Sequence, residues 1–353
     1  MTTASAAPPS AAAPPSRLRA ESPLRRILSR PESGALVGAI VVFVIFAVLG
    51  GKGGFLSPTG FAGYLELAAQ VGILGASVTL LMIAGEFDLS IGSVIGACGL
   101  FLAMLISVYS VPVVIAIPAT FAFALAIGFV NGWLVIRTGL PSFIVTLATQ
   151  LILRGATIAL TRQITNLTIV NLPEAAKSDP AFVPFATTLF KIDTGTFKVE
   201  LVWWIVVVVL ASWVLMRTRF GNWIYAVGGS AQAARYVGVP VNRVKILLFM
   251  GTAASAALYA CVVVPSVGSA NVRDGTNREF EAIITAVVGG TLLTGGYGSA
   301  LGSAFGAFIL GTTQLGINFV GINSDWYQVV LGTILLLAVL VNTYLLRRAS
   351  GAR

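Results

Sequence analysis

The chain of 353 residues contains no histidine and only two cysteines. Without histidine it cannot build a histidine-ligated metal site, a histidine-based catalytic triad or a histidine proton relay. Cys98 and Cys261 both lie inside apolar runs, where cysteine behaves as a small hydrophobic residue, and we expect buried free thiols. The sequence therefore predicts no metal site and no bound cofactor.

Nucleotide-binding and catalytic motifs are also lacking. The sequence contains no Gly-x-x-x-x-Gly-Lys-Ser/Thr phosphate loop and no nucleophile beside a matching base. We therefore expect no catalytic residue and no ATPase activity in this chain. If the protein works uphill with ATP, another chain has to hydrolyse it.

Charged residues are scarce, at 10% of the chain against 57% hydrophobic residues, and the mean hydropathy is +0.92. Soluble proteins carry about 25% charged residues, so the deficit excludes a soluble domain with a large apolar core. About ten spans of roughly 20 residues would use most of the chain. The composition predicts an all-α polytopic membrane protein without a second globular domain.

Basic residues exceed acidic ones, and the formal net charge is +9. Arginines precede the first apolar run and follow the last, which places both termini in the cytoplasm by the positive-inside rule. We interpret residues 1–32 as a disordered basic tail and residues 347–353 as a second cytoplasmic tail. The first apolar run is expected to be a retained span, not a signal peptide. Nucleic-acid binding explains this charge less well than topology does.

The membrane domain extends over residues 33–346 and contains ten apolar segments. These are Leu36–Leu49, Tyr64–Ile83, Val94–Val108, Pro112–Ile136, Phe143–Leu160, Leu201–Met216, Ile246–Val264, Ala282–Leu293, Ala300–Ile317 and Trp326–Leu346. The long neutral segment 161–200 and the polar segment Ser266–Glu281 are predicted to lie outside, and the basic segment 217–245 in the cytoplasm. The fifth and eighth spans are short enough to be re-entrant, so the count of ten is approximate.

A polar break, residues 84–93, separates the second and third spans. It contains Glu86 and Asp88 together with Ser90 and Ser93. Carboxylates inside a bilayer are costly unless they are paired or hydrated. We expect a re-entrant turn or an unwound helix junction whose polar backbone faces protein or water.

Other polar side chains lie within the predicted spans. Asn131 is near one end of the fourth span, and Thr146 and Gln150 share a helical face in the fifth. With Glu86, Asp88, Ser90 and Asn318, which directly follows the ninth span, they are our candidate translocation residues. The alternative role for such side chains is to hydrogen-bond neighbouring helices. Arg154 either extends to the outer interface or pairs with an acid, and we favour the first.

A short helix is predicted in the basic segment. A Gly-Gly pair breaks the preceding chain, Ser230 is a suitable N-cap, and Gly238 closes an alanine-rich run. Such a helix suits a groove on a partner, and the alternative is a capped helix lying on the membrane. The residues assigned to this coupling segment are Gly228, Gly229, Ala233, Ala234, Arg235 and Gly238.

Several motifs together resemble one known family, over about residues 55 to 345. They are Gly85…Asp88-Leu89-Ser90-Ile91-Gly92-Ser93, Asn131-Gly132, Pro141-Ser142-Phe143-Ile144-Val145-Thr146-Leu147, Tyr225-Ala226-Val227-Gly228-Gly229…Ala233-Ala234-Arg235…Gly238, Gly289-Gly290-Thr291…Gly295-Gly296…Gly298-Ser299…Gly302 and Trp326-Tyr327-Gln328-Val329-Val330-Leu331-Gly332. In this order and spacing they resemble the ribose/xylose-type permease subunits of bacterial ABC sugar importers.

The resemblance implies a multi-pass protein of the bacterial inner membrane that forms a channel with a second permease copy. It also implies a cytoplasmic ATP-binding subunit, a periplasmic sugar-binding protein, and coupling to ATP hydrolysis through residues 228–239. Transport would proceed by alternating access.

Other functions remain open at this point. A related ABC permease for branched-chain amino acids or nucleosides would have a similar architecture. An ion-coupled secondary transporter would need intramembrane carboxylates, for which Glu66, Glu86 and Asp88 are the candidates. A membrane enzyme is least favoured, because the spans offer no other acid–base pair.

Overall fold

The computed structural model describes the backbone of residues 31–350 and the side chains of residues 32–341. Most of the predicted tail over residues 1–32 lies outside the described residues, as do residues 351–353. The last two residues of that predicted tail, Pro31 and Glu32, already belong to the first helix.

The chain is a bundle of helices with two small sheets. In chain order the elements are α1 (Pro31–Gly50), α2 (Pro58–Ile83), α3 (Ile91–Ser107), α4 (Val113–Thr138), α5 (Ser142–Thr165), β1 (Ile169–Asn171), α6 (Glu174–Lys177), α7 (Val183–Ala186), β2 (Thr188–Ile192), β3 (Gly195–Lys198), α8 (Glu200–Arg217), α9 (Arg219–Gly229), α10 (Ala231–Tyr236), α11 (Val241–Val267), β4 (Ser269–Asn271), α12 (Arg278–Val288), α13 (Ala300–Val320) and α14 (Tyr327–Ser350), with 3₁₀ turns at Gly51–Gly53, Pro180–Phe182 and Ser324–Trp326.

Eight helices of the described chain are long and apolar enough to cross a membrane. The predicted all-α membrane fold is confirmed, and the shorter helices α3 and α12 are not among these eight. The fifth predicted span is the full-length α5. The eighth, Ala282–Leu293, is instead α12, whose 11 residues extend only about 16 Å. Since a bilayer core is about 30 Å thick, α12 cannot cross it alone.

The buried centre of the bundle consists of α2, α11 and α13. About two thirds or more of the apolar window of each is buried, against 17% for α1 and 22% for α8. Helix α2 packs on α13, and α11 packs on α4. Small residues permit these close contacts: the backbone of α2 at Tyr64 and Ala68 lies directly against Gly311 of α13. The peripheral helices expose apolar side chains, as expected for a surface that faces lipid.

Two features mark the opposite ends of α2. Ser57 caps its first turn by accepting a hydrogen bond from the amide of Gly60 at 3.1 Å, and Thr59 is 2.6 Å from Thr194 in the turn between β2 and β3. Its last residue, Ile83, contacts Gly228 of the basic segment. We call these the hairpin end and the basic end of the bundle.

The sheets add strands to the all-α prediction. Strands β2 and β3 pair as an antiparallel hairpin, and β1 pairs antiparallel with β4, with Val170 opposite Ala270. Both sheets use segment 161–200, which the sequence predicted only as a long loop. The β1–β4 pairing also ties that segment to the residues that precede α12.

Candidate translocation site

The predicted break between the second and third spans is an unwound helix junction. Helix α2 ends at Ile83, α3 begins at Ile91, and the residues between them are not helical. Gly85 has φ +81°, a conformation that favours glycine. Hydroxyls of α5 satisfy the exposed backbone: Ser142 accepts from the amide of Phe87 and Thr146 from that of Leu89, each at 3.0 Å.

Asp88 lies at the centre of this junction and is 1% exposed. Its Oδ1 accepts hydrogen bonds from the amide and the hydroxyl of Ser90, at 2.9 and 2.6 Å. Its Oδ2 accepts from the hydroxyl of Thr252 on α11 at 2.6 Å. Hydrogen bonds to a charged group are stronger than neutral ones, so this carboxylate binds the break firmly to α11.

The network continues from Ser90 to α4 and α5. Asn131 donates from Nδ2 to the hydroxyl of Ser90 at 2.9 Å and accepts at Oδ1 from Thr149 at 2.7 Å. Asn131 is 1% exposed. Four segments of the chain therefore meet around Asp88: the break, α4, α5 and α11. We call Asp88, Ser90, Asn131, Thr149 and Thr252 the Asp88 cluster.

A second set of contacts joins α3 and α5 to α12. The hydroxyl of Ser93 donates to the carbonyl oxygen of Gln150 at 2.9 Å, and Nε2 of Gln150 donates to Oε1 of Glu279 at 2.5 Å. The same Oε1 lies 3.6 Å from Nη2 of Arg154. The preferred prediction for Arg154 was therefore wrong: it pairs with an acid. The pairing brings a partly exposed cation to a carboxylate that is 1% exposed.

The polar segment that precedes α12, predicted to lie on the outer side of the membrane, packs against the bundle. Residues 272–277 fold against α3, where a Cβ at Gly96 would lie 2.7 Å from the carbonyl oxygen of Asp274. A Cβ at Gly92 would collide with the carbonyl oxygen of Gly275 and with the carboxylate of Glu279. Glycines on α3 thus allow this polar segment to enter, and it delivers Glu279 to α5.

The coupling segment has the predicted local structure. Ser230 caps α10 by accepting from the amide of Ala233 at 3.2 Å, and Gly238 follows with φ +84°. Ala234 is buried, whereas Ala233, Arg235 and Gly238 are exposed. Tyr236 and Val237 are also exposed, at 81% and 79%. The short helix α10 therefore presents an apolar tip at the basic end.

Gly228, more than Gly229, anchors this segment to the bundle. A Cβ at Gly228 would collide with the carbonyl oxygen of Ile83 and lie 2.5 Å from the amide of Gly296, whereas Gly229 has open space around its Cβ position. Nearby, the hydroxyl of Tyr225 donates to the carbonyl oxygen of Gly298 at 2.8 Å. Burial raises the pKa of Tyr225, which keeps the phenol protonated as a donor.

Glu86 lies outside the Asp88 cluster. It forms an ion pair with Lys245 at the start of α11 and lines a cavity of about 470 Å³ at the basic end. Ser142 and Arg235 also line this cavity, so it connects the break with the coupling segment. The cavity is polar and bounded by both signs of charge.

The structure thus brings five of the seven candidate translocation residues together: Asp88, Ser90, Asn131, Thr146 and Gln150. Glu86 is adjacent to them. Asn318 is separate, exposed near the hairpin end of α13, where its carbonyl oxygen accepts from the amide of Gly321 at 3.0 Å. Sequence reasoning missed Thr252 and Glu279, although a carboxylate three residues before the eighth predicted span was a usable signal for Glu279.

No group of three or more Cys, Asp or Glu side chains among the described residues is arranged to hold a metal ion. Cys98 and Cys261 are buried free thiols, as predicted. The described part of the site consists of hydroxyls, amides, carboxylates and the cations of Arg154 and Lys245, all of which can bind and orient polar groups.

Comparison with known proteins gives a family and several curated relatives. The family described as "branched-chain amino acid transport system / permease component" matches residues 60–339. The ribose import permease protein RbsC of Escherichia coli (strain K12) is 32% identical over 88% of this chain and 93% of its own. The xylose transport system permease protein XylH of the same strain is 30% identical, over 89% and 92%. The fructose import permease protein FrcC of Rhizobium meliloti is 29% identical, over 91% and 88%.

No solved structure matches the chain. The family match and the apolar helices make it a multi-pass protein of the inner membrane. The resemblance to ribose/xylose-type permeases is confirmed. The chain belongs to the branched-chain amino acid transport system / permease component family, and its curated relatives include ABC permeases named for the import of ribose and the transport of xylose.

Proposed function

We propose that the chain is the membrane-spanning subunit of an ATP-driven importer that moves a monosaccharide or a related polyol across the inner membrane. The names of its relatives, which import ribose, xylose and fructose, support this substrate class. ATP hydrolysis belongs to a separate cytoplasmic subunit, since the sequence lacks a phosphate loop.

The basic end of the bundle is the cytoplasmic end in this proposal. Five basic residues and no acidic residue lie in segment 217–245, which the positive-inside rule places inside. The hairpin end then faces the periplasm, where segment 161–200 and the β2–β3 hairpin receive a sugar-binding protein. Both termini are cytoplasmic.

The observation that carries the proposal is the packing of Gly228. Because Gly228 touches both Ile83 and Gly296, a force on α10 reaches the end of α2 and the turn before α13 directly. The exposed side chains of Tyr236 and Val237 suit a groove on the ATP-binding subunit. Closure of that subunit would push the break, and through Asp88 it would shift α4, α5 and α11 between inward-facing and outward-facing arrangements.

A second copy of the chain completes the channel. Asp88, Ser90, Asn131 and Thr252 of the Asp88 cluster are buried within one chain, so this arrangement alone leaves no open polar path through them. The peripheral apolar side chains contact lipid or this second copy, and nucleic acid has no role.

Of the two alternative functions, only one has a specific observation in its favour. The description of the family names branched-chain amino acids, which keeps an amino-acid substrate in view, as well as the nucleosides considered from the sequence. An ion-coupled transporter is weaker, because Glu66 pairs with Lys198 and Glu86 with Lys245. The remaining candidate, Asp88, already accepts three hydrogen bonds from the protein.

Co-purification of the tagged chain from its native membrane, followed by uptake in proteoliposomes, tests the proposal. We expect an ATP-binding subunit and a sugar-binding protein in the complex, and uptake that requires ATP. Uptake that survives ATP depletion but disappears with a protonophore would contradict it.

A further inference from the structure

A cleft of about 590 Å³ lies between α12, α13 and α14. Its lining includes Gln314, which is six residues before the end of α13 and therefore about 9 Å from the hairpin end. Tyr327, the first residue of α14, lines it from the other side. The cleft is distinct from the Asp88 cluster and from the cavity beside Glu86. Its volume is in the range of small-molecule sites, about 300 to 1,000 Å³.

The charges of this cleft neutralise each other. Arg278 and Glu281 form an ion pair across one turn of α12, and the hydroxyl of Tyr327 lies 3.4 Å from Oε1 of Glu281. The guanidinium carbon of Arg278 is 5.9 Å from the centroid of the Tyr259 ring, a cation–π arrangement. These contacts fix both charged groups in place, so the wall they form is rigid and has no net charge.

The other polar groups of the cleft are neutral and consist of amides and the hydroxyl of Thr276, which donates to the carbonyl oxygen of Arg273. Oε1 of Gln314 is buried and accepts no hydrogen bond from any described residue. Gln328 lies across the cleft on α14 with an exposed side chain. A buried acceptor without a donor is costly, so Gln314, which lines the cleft, would gain by turning its amide toward a polar group that enters it. Phe280, Ile284 and Leu331 supply the apolar part of the lining.

We propose that this cleft contacts the monosaccharide on its way through the protein, an assignment that rests on the proposed import of a sugar. A monosaccharide offers hydroxyls, which both donate and accept, together with an apolar ring face. Neutral amides that donate and accept match the hydroxyls, and Phe280 and Tyr327 match the ring face. A free amino acid would need separate partners for its carboxylate and its ammonium group, but Arg278 and Glu281 are already engaged with each other.

Isosteric changes of the two glutamines test the assignment. Methionine has the length of glutamine but cannot form its hydrogen bonds. We would reconstitute the complete complex, with its ATP-binding subunit and binding protein, as wild type, Gln314→Met and Gln328→Met. Uptake of radiolabelled D-ribose, D-xylose and D-fructose and ATP hydrolysis would be measured in parallel. Gln163→Met, an exposed site near the end of α5 and away from the cleft, is the matched control.

We expect both cleft variants to lower uptake of the transported sugar at least tenfold and to change the preference among sugars. ATP hydrolysis stimulated by the binding protein should stay within twofold of wild type, and the control should transport normally. Normal uptake by both variants would overturn the cleft assignment and leave sugar import intact. An equal loss of all sugars together with lost ATP hydrolysis would also overturn it, since that pattern indicates damaged packing. A wild-type complex that carries none of the three sugars, nor any other monosaccharide or polyol, would instead refute the proposed function on which the assignment rests.

Discussion

The carbonyl oxygen of Ile83 accepts a hydrogen bond from the amide of Gly296 at 2.8 Å. This bond joins the last residue of α2 to the turn before α13, two places where the helical backbone is interrupted. Gly228 packs directly against the same bond. The coupling segment therefore contacts both interruptions at once.

Substitution of Gly228 by alanine should uncouple ATP hydrolysis from transport. The new Cβ would displace the backbone at Ile83 and Gly296, and so α10 would lose its fixed position. We expect ATP hydrolysis to persist while uptake falls at least tenfold in proteoliposomes. Gly229→Ala is the matched control, because its Cβ has open space. Equal uptake by the two variants would refute the role of Gly228.

Replacement of Asp88 by asparagine should weaken the junction. The substituted amide nitrogen cannot accept the hydrogen bond from Thr252 or those from Ser90, depending on its orientation. The expected loss is about 1.5 to 3 kcal/mol of unfolding free energy for each charge-assisted bond, seen as a lower Tm in detergent. Thr252→Ser keeps the hydroxyl and should be close to wild type, whereas Thr252→Val should resemble Asp88→Asn. Wild-type stability and uptake in Asp88→Asn would show that this carboxylate is dispensable.

The pair of Arg154 and Glu279 should behave as one unit. Arg154→Met leaves the buried carboxylate of Glu279 without its cation, which is more costly than loss of both charges. We expect a lower Tm for Arg154→Met and partial recovery in Arg154→Met/Glu279→Gln. A double-mutant cycle on thermal unfolding measures the coupling, with about 0.5 to 3 kcal/mol expected. If the two substitutions changed the free energy of unfolding additively, Arg154 would interact mainly with the membrane interface and not with Glu279.

Reversal of charge at Arg235 should disturb docking of the ATP-binding subunit. Arg235 is exposed beside the apolar tip of α10 and donates to Asn242 at 3.2 Å. Arg235→Glu should reduce co-purification of the ATP-binding subunit or uncouple its hydrolysis from uptake, without a change in Tm. Lys191→Glu, an exposed site at the hairpin end, controls for the change of charge. If Arg235→Glu imports at the wild-type rate, its coupling assignment is wrong.

Features with a local cause were predictable from the sequence. The break at residues 84–93 follows from polar and glycine residues between apolar runs, and α10 follows from the N-cap Ser230 and the closing Gly238. Both are determined within a few residues of chain, where propensity and capping decide the outcome. The apolar spans were found for the same reason.

Features with a long-range cause were not predictable. The sequence of segment 272–277 indicates only a polar loop, whereas its packing against the bundle depends on Gly92 and Gly96 of a distant helix, which leave space for it. Arg154 pairs with Glu279 only because that segment brings the carboxylate to α5. The residues near Arg154 in the sequence do not include Glu279. The sequence therefore favoured an Arg154 side chain that extends to the membrane interface.

The contact between Gly92 and Gly275 joins two stretches of backbone with no side chain between them. Interlocked side chains resist displacement because each has to leave its rotamer before the next position is reached. Beside this contact the carboxylate of Glu279 lies directly against Gly92, so α3 and the segment that precedes α12 are held by a side chain as well as by backbone. They should therefore move as one rigid body when the helices around them rearrange.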